Sequence, residues 1–75
     1  MSEQVRPKWL GDFPNQPKSV ETNPYSEESY ELSSLETTVY RFVKVSERKN
    51  DYKNLRKGLD WFRRNNAKAY MVLLD

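Results

Sequence analysis

Four residues in the C-terminal half combine positive charge with an aromatic ring, a pairing that suits the binding of anions. Lys53, Lys57 and Arg64 follow one another at spacings of four and seven, which places them on one side of a helix. Trp61 falls beside them. Such a surface can bind phosphates and stack a nucleic-acid base, or hold an acidic patch of a protein. The alternative is a solvated face on which Asp60 pairs with Arg64 and Trp61 makes a tertiary contact.

The residue types needed for most enzymatic chemistry are scarce. The 75-residue chain has no cysteine and no histidine, which excludes disulfides, thiol nucleophiles, imidazole bases and the common transition-metal sites. Gly11 and Gly58 are its two glycines, so no glycine-rich phosphate loop exists. We therefore expect a protein that is not an enzyme and has no cofactor and no metal. The remaining catalytic hypothesis is an enzyme that uses a lysine or a carboxylate, and such an enzyme would need a deep pocket.

A second group of aromatic residues lies near the N-terminus. Trp9 and Phe13 stand in a polar segment between Pro7 and Pro14. Such a segment can be a short linear motif that orders on a partner protein. Equally, both rings can dock on the chain's own folded part.

The two halves of the chain differ in composition. Residues 1–37 hold three basic and seven acidic residues, whereas residues 38–75 hold ten basic and four acidic ones. All four prolines lie in the first third, and proline disfavours regular structure at and before its own position. We predict an extended, disordered N-terminal arm over residues 1–27 and a small domain over residues 28–75.

The domain has the pattern of a β-α-β unit. Residues 36–46 are rich in β-branched and aromatic types and predict a strand, as do residues 67–74. Residues 51–65 between them predict an amphipathic helix, and a further strand is predicted at residues 29–32. The apolar positions of the helix recur at spacings of three and four: Tyr52, Leu55, Leu59 and Phe62. The predicted fold class is α+β, with parallel pairing through a right-handed crossover.

One helix covers one face of a sheet, yet both faces of these strands are apolar. The uncovered face would carry Tyr40, Phe42 and Tyr70. It would be covered by a second copy of the chain, by the N-terminal arm or by a different protein. We therefore predict a non-catalytic protein-binding adaptor, accessory subunit or small regulator. Its predicted contacts lie on the arm and on this face: Trp9, Phe13, Tyr40, Phe42 and Tyr70.

The alternative prediction is a small nucleic-acid-binding module that uses the basic helix face. Its contacts would be Lys53, Lys57, Trp61 and Arg64. No apolar run reaches the roughly 20 residues of a membrane span, and the N-terminal residues lack the apolar core of a secretory signal. We therefore expect a cytoplasmic protein without a membrane partner.

Overall fold

The fold is α+β, as the sequence predicts, but its elements are arranged differently. The computed structural model describes residues 5–74. In chain order it has a short 3-10 helix (Lys8–Leu10), strands β1 (Ser19–Thr22) and β2 (Ser29–Leu32), helices α1 (Ser34–Arg48), α2 (Tyr52–Asn65) and α3 (Ala67–Ala69), and a π-helical turn (Tyr70–Leu74). We call Ala67–Leu74 the C-terminal segment. Helices α1 and α2 pack on each other, and β2 packs against α1 and the C-terminal segment.

The sheet is an antiparallel hairpin formed by β1 and β2, with Val20 opposite Glu31. The strand predicted at residues 29–32 is confirmed, and its partner strand comes from the predicted N-terminal arm. The predicted boundary between residues 27 and 28 therefore lies inside the hairpin turn. Residues 1–4 of the arm and residue 75 of the domain lie outside the described residues.

Residues 36–46, predicted as a strand, belong to helix α1. A capping box begins this helix: the Ser33 Oγ accepts from the Glu36 N–H at 3.2 Å, and the Glu36 carboxylate accepts from the Ser33 N–H at 2.9 Å. Val39, Phe42 and Val43, at helical spacing, are then buried on the core side. This burial, with the cap, outweighs the β propensity of the individual residues.

The threonines of α1 tie the N-terminal arm to the helix. Thr37 and Thr38 each donate a hydroxyl hydrogen bond to the carbonyl four residues earlier, at 2.9 Å and 2.8 Å. The Thr38 hydroxyl also accepts from the Gln16 N–H at 2.9 Å. Both threonines are buried, so residues of high strand propensity act here as polar contacts between a helix and the preceding chain.

Residues 67–74, the other predicted strand, are helical. Asn66 caps α3, because its side-chain oxygen accepts from the Ala69 N–H at 3.1 Å. Ala69 and Leu73 are four residues apart and both are buried. The predicted parallel β-α-β unit is therefore wrong: among residues 5–74 the strands form one antiparallel pair.

Helix α2 confirms the predicted helix at residues 51–65. Asp51 caps it by accepting from the Asn54 N–H at 3.3 Å. Gly58 is buried where α2 crosses α1, and a Cβ atom built on it would overlap the Val43 side chain. The glycine allows the two helices to approach closely.

Gly58→Ala is expected to destabilise the fold by about 1–2 kcal/mol, although alanine is the better helix former by about 1 kcal/mol. Val43 is a buried, β-branched residue whose side chain has little freedom to move away. A double-mutant cycle checks this, with the free energy of unfolding of each variant measured by chemical denaturation. In a Val43→Ala background the Gly58→Ala change should be neutral or stabilising, and an equal cost in both backgrounds would contradict the steric explanation.

Candidate functional site

The outward side of α2 is strongly basic. Its apolar side packs Gly58, Trp61 and Phe62 into the core. The other side carries five cations and one acid: Lys53, Arg56, Lys57, Arg63, Arg64 and Asp60. The hairpin has the opposite charge, since residues 19–32 contain four glutamates and no basic residue. The molecule therefore has an acidic and a basic part.

One edge of the basic side borders a cavity of about 300 Å³, which we call the tryptophan cavity. Its lining residues are Trp9, Lys57, Asp60, Trp61, Arg64 and Asn65. Three of the four residues predicted to bind an anion thus come together. Lys53 does not line the cavity and lies exposed one turn before Lys57.

The aromatic walls of the tryptophan cavity are fixed by core packing. Trp61 is only 8% exposed and lies edge-on to Phe62, with 5.2 Å between the ring centroids. Trp9 packs on Phe42 at 5.1 Å. Each indole has little freedom to rearrange, so the cavity shape is largely preformed.

Two cations, Lys57 and Arg64, line the tryptophan cavity. Within residues 5–74, neither Lys57 nor Arg64 forms an ion pair. The pair expected between Asp60 and Arg64 is replaced by one between Asp60 and Arg63 at 3.7 Å. Arg63 also donates to the Tyr70 hydroxyl at 3.1 Å. Two cations therefore remain available to an anionic ligand at the cavity.

The structure places the predicted protein-binding aromatics mostly inside the molecule. Tyr40 is 5% exposed and Phe42 9% exposed, both on α1. Phe13 packs edge-on against Phe42 at 5.6 Å, and half-buried Tyr70 contacts the Arg63 guanidinium. The sheet face assigned to three of these residues does not form in the described part of the chain. Trp9 alone of the five lines the tryptophan cavity.

The sequence left open whether Trp9 docks on the chain's own folded part, and no local pattern indicated that it would lie beside α2. Sequence reasoning also missed Asn65, whose amide donates to the Trp61 carbonyl at 2.9 Å and closes one side of the cavity. The presence of two aromatic residues in a proline-rich segment was the available signal for docking.

No family model, curated protein or solved structure matches the chain. In the part of the chain that the structure describes, no group of three or more acidic side chains is arranged to hold a metal ion. Nor is any helix of that part long and apolar enough to cross a membrane.

Proposed function

We propose that the chain is a non-catalytic binding protein that holds an acidic segment of another protein at the tryptophan cavity. One observation carries the proposal: Lys57 and Arg64, without ion-pair partners in residues 5–74, stand at a preformed aromatic cavity. An acidic side chain would pair with the cations while a neighbouring apolar group fills the space between the indoles.

The polar groups of the cavity support binding rather than catalysis. The Asp60 carboxylate is engaged by Arg63, and the Asn65 amide by a backbone carbonyl. Neither is placed as a base beside a nucleophile, which covalent or acid–base catalysis requires. Lys57 and Arg64 provide positive charge, which serves recognition of a carboxylate directly.

A protein ligand fits this cavity better than nucleic acid does. The Trp61 ring is buried against Phe62, so a base has little of its face on which to stack. The net charge of the chain is only +2, which is modest for a surface that tracks a phosphate backbone.

The test is a titration of the whole chain with two probes. The first is an octapeptide of glutamate and aspartate with one central leucine, and the second is a ten-nucleotide oligo-dT. We expect the peptide to change tryptophan fluorescence and to shift the NMR signals of Trp9, Lys57 and Arg64. Lys57→Glu and Arg64→Glu should each weaken peptide binding about tenfold, because each replaces an attraction by a repulsion.

Arg41→Glu is the matched control, since it makes the same change of charge at an exposed site outside the cavity. It should leave peptide affinity nearly unchanged. Oligo-dT binding that falls steeply with salt, at the same residues, would favour the nucleic-acid module instead. Absence of binding by both probes at low salt would refute an anion-binding role.

A further inference from the structure

A second depression borders α2 on the side opposite the tryptophan cavity. Two neighbouring cavities of about 280 Å³ and 270 Å³ share Leu55 and Leu59 and so form one groove, which we call the leucine groove. Leu73 and Leu74 of the C-terminal segment continue its apolar floor, with Val43 of α1 beside them. Four leucines and a valine thus line an open surface feature.

Two exposed tyrosines lie at this groove. Tyr25, in the hairpin turn, is 95% exposed, and Tyr52, at the start of α2, is 68% exposed. Each lines one of the two cavities without filling it. An exposed aromatic ring beside aliphatic side chains is typical of a protein–protein contact.

The two ends of the leucine groove have opposite charges. At the hairpin end, one cation and one acid line the cavity, Lys44 and Glu47, and the exposed Glu27 and Glu28 lie in the same turn as Tyr25, so this end is acidic on balance. At the α2 end, Arg56, Arg63 and Asp60 line the groove, so this end is basic on balance. The net charge is therefore negative at the hairpin end and positive at the α2 end, with apolar side chains between the two ends.

We infer that the leucine groove is the contact surface of a symmetric homodimer. A two-fold axis through the middle of the groove lays the hairpin end of one copy on the α2 end of the other. The turn glutamates then meet Arg56, Tyr25 meets the leucines of the second copy, and the apolar middles face each other. An isologous interface requires such a self-complementary surface.

A partner of purely acidic or purely basic character fits this surface less well, because one end of the groove would always repel it. A standard interface buries about 800 Å² per partner. The chain exposes 5500 Å² in total, so an interface of this size would occupy only a modest part of its surface. The groove shares Asp60 with the tryptophan cavity, but Tyr25 and Arg56 line the groove and not the cavity.

The test is analytical ultracentrifugation of the full chain over a range of protein concentrations. We expect reversible association from 9.0 kDa to twice that mass. Tyr25→Ser and Arg56→Glu should each raise the dimer dissociation constant about tenfold or more, because they remove an aromatic anchor and a complementary charge. Both residues are exposed, so the variants should fold, and circular dichroism checks this.

Charge exchange makes the test specific. Glu28→Arg should also weaken the dimer, and combining it with Arg56→Glu should restore affinity to within about threefold of the original, because the attraction is re-formed with opposite signs. Arg41→Glu, which changes an exposed cation outside the groove, should have no effect.

A chain that stays monomeric at millimolar concentration would overturn the inference, as would dimers that are insensitive to Tyr25 and Arg56. A groove that instead takes up a different protein, with no self-association, would also overturn it. Tyr25 and Arg56 lie outside the tryptophan cavity, so variants at these positions should still bind the acidic peptide. The two experiments therefore distinguish failure of the dimer from failure of the proposed peptide site.

Discussion

Phe42→Ala is expected to lower the free energy of unfolding by about 3–5 kcal/mol, a large share of the stability of a domain of this size. Phe42 is buried on α1 and holds both aromatic rings of the N-terminal arm, with centroids 5.1 Å from Trp9 and 5.6 Å from Phe13. Its removal leaves a cavity and releases the two rings. Urea denaturation followed by far-ultraviolet circular dichroism measures the loss.

Amide hydrogen exchange shows whether the arm itself depends on this contact. In the native chain, the N–H groups of Phe13 and Gln16 are hydrogen-bonded and should be protected. Phe42→Ala should release both, whereas Phe42→Leu, which keeps apolar volume, should have a smaller effect on both stability and exchange. If both amides already exchange at the rate of an unfolded chain in the native protein, the arm is not docked, and Trp9 and Phe13 are free for a partner.

Asn66→Ala is expected to cost about 2–4 kcal/mol, because one amide serves three elements. Its Nδ2 donates to the buried Glu36 carboxylate at 2.7 Å, and its Oδ1 accepts from the Ala69 N–H at 3.1 Å and from the Tyr30 hydroxyl at 3.4 Å. The substitution removes the cap of α3 and leaves Glu36 with fewer donors in a buried place. Thermal and urea unfolding measure the effect.

Asn65→Ala is the control, since it makes the same change one residue earlier. Asn65 is exposed, and within residues 5–74 its side chain makes a single hydrogen bond, to a backbone carbonyl of α2. Its loss should cost about 0.5–1 kcal/mol. Equal costs for the two asparagines would contradict the role given to Asn66 in joining α1, β2 and the C-terminal segment.

Local patterns were sufficient to predict part of this fold. Helix α2 combines an acidic cap at Asp51 with a regular apolar stripe, and both signals point to the same structure. Strand β2 alternates half-buried Tyr30 and buried Leu32 with polar residues, as a hairpin with one buried face requires. The α+β class was predicted from the β-α-β pattern, of which only the helix formed, whereas in the structure the strands of this class are those of the β1–β2 hairpin.

Helix α1 was mispredicted because two periodicities coexist in its sequence. Val39, Val43 and Val45 alternate as a strand would, yet Val39, Phe42 and Val43 also recur as on a helix. The deciding signal is the Ser33–Glu36 capping box, which precedes the apolar run. Once α1 is a helix, the predicted parallel partner of residues 67–74 is lost, and the burial of Ala69 and Leu73 favours helical turns.

The candidate site was partly predictable for a related reason. Lys57, Trp61 and Arg64 lie on one helix, so their spacing alone places them together. Trp9 joins them through contacts with α1 that no local pattern indicates. The packing of the N-terminal arm follows from the tertiary position of Phe42, which depended on the mispredicted helix.

The side chain of Asn23 in the hairpin turn donates to the carbonyl of Val72 at 3.0 Å, and its oxygen accepts from the Tyr25 N–H at 2.8 Å. Residues 49 positions apart are thereby joined. On the ribosome, the hairpin will have emerged well before the segment that anchors it. Native closure of this contact must therefore wait until Val72 has also left the exit tunnel, so the hairpin stays unanchored while the 49 residues up to Val72 are made.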